Sequence, residues 1–229
     1  MLEKRKKFSK KQIKEDKLVT TYYQVYNYFL ENQAKILIGL AVVAIIVVAV
    51  ILFGNKKKTD NLKAEALLVK VIPLFEANSF KEAIEGQPSA KIVGLKNIVS
   101  EFGSTESGET AKIYLANSYA MLGKNNDAYD VYDSYSGSNP LYQASALAGM
   151  AGCLEAKNEF EKANDLYQKA AKISKANPAN SEYLLSAGIN LIKLGKKEEA
   201  KQIFEIIKKD YKTTSAFYEL DRYLIQIEG

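Results

Sequence analysis

The chain lacks histidine and tryptophan entirely, and among 229 residues it holds one cysteine, four prolines and 13 glycines. Each shortage excludes something. Without histidine, no serine or cysteine triad can use an imidazole base. Histidine-ligated zinc, copper and haem sites fall for the same reason. A single thiol, Cys153, cannot form a disulfide within the chain. Few prolines and glycines beside abundant Ala, Lys, Glu, Leu and Ile point to an all-helical protein.

Basic excess is confined to one end. Residues 1–35 carry nine Lys or Arg and four Asp or Glu, whereas residues 54–229 carry 23 of each sign. The whole net charge of +5 therefore lies in the first segment. It starts with Lys4, Arg5, Lys6 and Lys7, candidates for contact with anionic lipid heads or ribosomal RNA, or simply a solvated tail that helps set topology. The balanced remainder offers no general nucleic-acid surface.

Ile36 to Phe53 is a run of 18 residues without a polar side chain. As a helix it would be about 27 Å long, close to the thickness of a bilayer's hydrocarbon. Fourteen of the 18 are Leu, Ile, Val or Phe, which together favour insertion by roughly 4 to 8 kcal/mol. Lys35 and Lys56 flank the run and can extend their amines to the interfaces. The 35 preceding residues are too many for a signal peptide and no small-x-small cleavage site follows, so the segment is expected to remain as an anchor. Just before it, Val19, Tyr22, Tyr23, Tyr26, Phe29, Leu30 and Gln33 recur at spacings of three and four, a helical stripe. With Tyr28 these rings suit a membrane interface, where an aromatic can be half wet, or a membrane partner. Basic residues do not settle the sidedness. The leading tail has more of them in total, but the stretch within 20 residues after the span has five against two before it. The boundaries read from composition are a basic tail 1–17, an amphipathic helix 18–35, a transmembrane helix 36–53, a linker 54–59 and a helical domain 60–229.

That last part repeats. Gly94, Ala128, Ala163 and Ala200 recur at steps of 34, 35 and 37, each followed four residues later by a large side chain, Ile98, Tyr132, Tyr167 or Phe204. Turn pairs precede three of them: Gly123-Lys124, Lys157-Asn158 and Gly195-Lys196. Such a period marks a helical solenoid. The small residue lets two antiparallel helices pack closely, and the large one fills the space beside the next hairpin. One hairpin cannot bury its own apolar face, so neighbours must stack.

In these positions the chain resembles the tetratricopeptide repeat. Leu115, Ala116, Tyr119, Ala128, Tyr132 and Pro140 occupy the signature slots, with Tyr135 where a small residue is usual. Met150, Ala151, Leu154, Ala163, Tyr167 and Ala170 do so next, then Ala187, Gly188, Leu191, Ala200, Phe204 and Ile207. A degenerate first unit would use a helix over 60–77 kinked by Pro73, an insert over 78–90 and a second helix over 90–102. A last helix, 214–227, would cap the stack. The resemblance implies a partner-binding groove lined by the first helix of each hairpin. That register points Ile113, Asn117, Met121, Ala148, Glu155, Leu185, Ile189 and Lys193 into it, a mixed and rather apolar set that suits an extended or partly unfolded polypeptide. Ile113 stands where repeats that grip a C-terminal carboxylate carry a lysine, so that clamp is not expected. No phosphate loop, metal-ligand cluster or nucleophile motif is present in the sequence. Neither an enzyme nor a cofactor is expected, and Cys153, on an Ala/Gly-rich helix, reads as a packing residue.

The whole layout also resembles the bacterial YfgM-like proteins, ancillary subunits of the SecYEG translocon. The likeness is carried by YNYFLENQAKILIG, by GLKNIVSEFGSTESGETAKIYLANSY and by the terminal hairpins; the basic tail is longer than that family's. It implies a single-pass protein of the bacterial inner membrane with a cytoplasmic N-terminus and a periplasmic repeat domain. Its implied partners are the translocon, a membrane-anchored periplasmic chaperone or prolyl isomerase, unfolded secretory polypeptides and membrane lipids, with no small-molecule substrate. A cytosol-facing receptor or assembly factor for another membrane complex is the alternative.

Overall fold

The structure is a computed structural model that describes residues 10–228, with side chains over 17–227. The basic cluster Lys4, Arg5, Lys6 and Lys7 lies outside the described residues. Two compact units divide the chain, residues 1–56 and 57–229.

The first unit is part of one helix, α1 (Lys10–Glu76). Nothing interrupts it: Gly39 and Gly54 are its only glycines, each costing about 1 kcal/mol relative to alanine, too little to stop a helix this apolar. Within it lies a stretch long and apolar enough to cross a membrane, and no part of that 18-residue stretch is buried by protein. A core helix of a soluble protein would be covered. The tyrosine stripe lies on the same helix. Residues 54–59, expected as a linker, are helical as well. The shift from apolar to Lys56-Lys57-Lys58 changes the solvent that the helix prefers, but lysine is a good helix former and no proline breaks the chain there.

In the second unit α1 continues through Pro73, whose missing N–H forfeits one helical bond. It closes at Glu76 with Asn78 in the left-handed region, φ 58°, and a 2.9 Å bond from the Ser79 amide back to the Leu74 carbonyl, a Schellman ending. The expected insert is ordered. It comprises α2 (Phe80–Glu85), β1 (Gly86–Gln87), a 3₁₀ turn over Pro88–Ala90 and β2 (Ile92–Val93). The strands pair antiparallel, Gly86 with Val93 and Gln87 with Ile92. The second helix of this hairpin, α3 (Leu95–Phe102), begins later than the expected residue 90. Ile92 and Val93 are β-branched and take the ladder instead. Gly94, the small residue of the first repeat, is forced by a neighbour: a Cβ there would collide with the Ile84 carbonyl.

Three regular hairpins follow: α4 (Glu106–Met121) with α5 (Asn125–Asp133), α6 (Pro140–Glu155) with α7 (Phe160–Ile173), and α8 (Asn180–Lys193) with α9 (Lys197–Asp210). A single helix, α10 (Ser215–Glu228), packs against α8 and α9. Starts are capped where sequence allows. Thr105 accepts the Gly108 amide at 3.1 Å, and Asn139, ahead of Pro140, accepts the Leu141 amide at 2.9 Å. The three expected turn pairs share one geometry. Gly123, Asn158 and Gly195 adopt φ of 72°, 62° and 74°, and each following amide bonds back to Tyr119, Leu154 or Leu191.

Packing follows the repeat logic. Ala128, Ala163 and Ala200 are wholly buried, and Tyr132, Tyr167 and Phe204 nearly so. Phe204 lies directly over Gly188, where any Cβ would overlap its ring. Three apolar clusters run along the stack, the first joining Ala64, Leu68 and Val71 of α1 to Leu95 and Ile98 of α3.

Candidate partner-binding surface

The first helices α4, α6 and α8 carry the eight residues assigned to the groove. The structure separates them. Ile113 and Leu185 are core side chains, each 4% exposed. Ile113 packs in one cluster with Tyr132, Ala146 and Met150, so the next hairpin covers it and a partner cannot reach it. Leu185 sits with Leu184, Phe204 and Leu220. The assignment of both to the groove is corrected: helix periodicity gave the right helix, but neighbouring helices claim more of the apolar face than a single repeat shows. Ala148 and Ile189 are half-buried against a cluster and present only part of their surface. Asn117, Met121, Glu155 and Lys193 remain accessible.

Glu155 and Lys193 neutralise each other. Lys193 Nζ donates to Glu155 Oε1 at 2.6 Å and lies 4.7 Å above the Phe160 ring. Tyr167 donates its hydroxyl to the other carboxylate oxygen at 3.3 Å. Burial first, and then the Glu155 charge, push the Tyr167 phenol well above its ordinary range. This cross-hairpin cluster ties α6, α7 and α8 together and pairs the two charges assigned to the groove.

Towards the first hairpin the surface opens into a cleft of about 480 Å³. Phe75 and Glu76 at the end of α1, Phe80 of α2, Asn117 and Met121 of α4, and Tyr132 of α5 line it. Met121 is 64% exposed. Tyr132 donates its hydroxyl to Asn117 Oδ1. Burial raises the Tyr132 phenol far above its usual value, so this donor stays protonated. Sequence reading found Asn117 and Met121 but missed Phe75, Glu76 and Phe80, which the insert brings to the site. No spacing rule places a unique insert; only the degenerate first repeat signalled that something non-repetitive stood there.

A second feature missed in sequence is the Glu109 carboxylate, 7% exposed. It accepts from Lys112 Nζ at 2.8 Å, the Ser136 amide at 2.9 Å and the Ser136 hydroxyl at 2.7 Å. Lys112 also donates to the Ser134 carbonyl at 2.8 Å. Burial pushes the carboxyl up, but the Lys112 and Ser136 bonds outweigh it and hold it below the usual carboxylate range. This network pins the α5–α6 loop to α4. Cys153 is a buried free thiol in the core, raised by that burial. Among the described residues no group of three or more metal-ligating side chains converges.

On α1 the residues assigned to the membrane interface all face outward. Tyr22 stacks on Tyr26 with ring centroids 6.1 Å apart and meets Tyr23 edge-on at 5.7 Å. Tyr28 and Phe29 are exposed, as are Lys56 and Lys35, which reaches Asn32 Oδ1 at 3.3 Å.

Residues 182–214, the α8–α9 hairpin, match the family model of the tetratricopeptide repeat. The second unit is a tetratricopeptide-like stack of helical hairpins. Comparison with curated proteins finds no match. The match is to a repeat associated with protein–protein interaction scaffolds.

Proposed function

We propose that this protein is a non-enzymatic, membrane-anchored scaffold whose hairpin face holds other polypeptides. The observation that carries the reading is the coexistence in one chain of an apolar helix with no protein cover and a tetratricopeptide-like stack. An anchor confines the stack to a membrane surface and raises its effective concentration near membrane partners. The accessible face, with Glu155 and Lys193 paired and an apolar cleft towards the first hairpin, suits extended or partly unfolded segments.

In the finer reading, the anchor lies in a bacterial inner membrane with the repeats in the periplasm, beside the SecYEG translocon. There the face would link the translocon to a membrane-anchored chaperone or prolyl isomerase and to emerging secreted chains. The resemblance to YfgM-like subunits supports this placement. Affinity purification of the full chain in mild detergent should recover translocon subunits; repeated recovery of other membrane complexes, and never the translocon, would refute the placement. Ser138→Cys decides the side. It is an exposed position in the α5–α6 loop, and native Cys153 is buried and will not compete for reagent. Labelling by an impermeant maleimide in intact cells supports the periplasm. Labelling only after lysis supports a cytosol-facing receptor or assembly factor instead.

A further inference from the structure

We infer that the cleft between the first two hairpins reads one large apolar side chain, with a lysine or arginine beside it, in an extended segment of a partner polypeptide. This rests on the scaffold reading and adds what the scaffold selects.

The apolar wall is built and braced. Phe75 meets Phe80 edge-to-face at 5.4 Å and Tyr114 at 5.1 Å, so its ring is held by neighbours on both sides. Met121, largely exposed, also lines the cleft, and its unbranched thioether adapts to different apolar shapes. A volume of about 480 Å³ admits a side chain of phenylalanine or leucine size with part of its backbone. With Oδ1 of Asn117 occupied by Tyr132, the donor end of that amide is left for a backbone carbonyl.

Charge decides the rest. Glu76 is the one ionisable carboxylate in the lining. It is exposed and takes part in none of the six ion pairs among the described residues. Among the described residues no lysine or arginine lines the cleft; Lys81 and Lys124 line a separate hollow with Glu85. An occupant bringing a cation beside its apolar side chain meets an unpaired anion, and one bringing an anion meets repulsion. The insert that supplies Phe80, together with the end of α1, makes this selectivity a property of the degenerate first repeat rather than of the regular hairpins.

The test uses the full chain in detergent micelles and octapeptides of Gly, Ser and Ala with a neutral fluorophore and a central Phe-Lys, Ala-Lys or Phe-Glu pair set two residues apart, so that both side chains lie on one face of the extended peptide, read by anisotropy. Phe-Lys should bind tightest. Removing the ring should weaken binding about tenfold or more, the worth of burying a phenylalanine. Changing Lys to Glu should cost about two- to fivefold at low salt, a partly solvated pair, and nothing at high salt. Glu76→Lys should reverse the Lys-over-Glu preference, and Met121→Asp should weaken both Phe peptides. Both positions are exposed, so the helical circular dichroism should not change. Failure of Phe-Lys to bind, binding no tighter than Ala-Lys, or an unreversed preference in Glu76→Lys would overturn the inference. Benzophenone side chains at Met121 and at Lys193, photolysed in membranes, separate it from the wider reading. Capture at both sites, with the Met121 crosslinks mapping by mass spectrometry to segments that carry a large apolar residue near a lysine or arginine, supports the inference, and Met121 crosslinks to segments lacking that pair overturn it. Capture at Lys193 alone, or of only a second copy of this chain at Met121, overturns the cleft and spares the scaffold; capture at neither overturns both.

Discussion

Replacing Glu109 with glutamine should loosen the second hairpin. The carboxylate is buried and accepts three hydrogen bonds, from Lys112 and twice from Ser136. Bonds to a charged partner contribute about 1.5–3 kcal/mol each. Glutamine keeps one acceptor oxygen, now neutral, and turns an NH₂ either towards the Ser136 amide or towards Lys112 and the Ser136 hydroxyl, so at least one of these charge-assisted bonds is lost. The side chains of Glu109 and Lys112 are 9% and 11% exposed, so solvent screens little of the loss. A net cost of about 2–4 kcal/mol follows, which lowers Tm by roughly 5–10 °C in a domain of this size. The pH dependence has a fixed sign. A carboxyl held below its unfolded value of 4.5 contributes stability that is complete above that value and is lost as pH falls through the folded value. Thermal unfolding of wild type and Glu109→Gln, followed by circular dichroism in detergent at neutral pH and between pH 5 and 3, measures both effects. The gap between the proteins should be widest at neutral pH and narrow on the acid side. A Tm change under 1 °C, or a gap that grows on acidification, would refute the reasoning.

Other expectations concern the packing register and the turns. Gly188→Ala should cost about 1–3 kcal/mol, because its methyl overlaps the buried Phe204 ring and the core must shift; thermal unfolding reads it. Ile113→Ala should cost about 2–5 kcal/mol as a core truncation, whereas Met121→Ala, at an exposed site, should stay within about 0.5 kcal/mol. Equal costs in the two would restore Ile113 to the groove. Asn158→Gly should raise stability by about 0.5–1 kcal/mol, since asparagine there holds a left-handed φ that glycine adopts at no steric cost; a lower Tm would show that its side chain is needed. Asn190 is wholly buried, and neither end of its amide meets a protein partner. Asn190→Leu should therefore raise Tm, and a drop would mean that the amide is satisfied through a bound water.

The regular hairpins were legible because their signal is local. A small residue every 34 to 37 positions, a large one four later and a left-handed turn between helices are each fixed by contacts within one or two hairpins. The apolar span was legible for the same reason: its length and composition alone make it able to cross a membrane. Three things were not. Residues 54–59 read as a linker because composition changes there, yet helix formation depends on breakers, and a single glycine, Gly54, with no proline, is too weak a one. Ile113 and Leu185 read as groove because their helix faces the right way, but burial is decided by the next hairpin, which the periodicity of one helix does not report. Phe75, Glu76 and Phe80 come together only because the insert folds back so that α2 packs on α4, a tertiary event with no sequence period.

The membrane anchor bears the most weight, and extraction of cell membranes with alkaline carbonate tests it most directly. The full chain should stay in the membrane pellet and dissolve only with detergent, while a chain lacking residues 36–53 should move to the soluble fraction. A full-length chain that dissolves in plain buffer, with Ile36 to Phe53 sequestered from solvent, would contradict it.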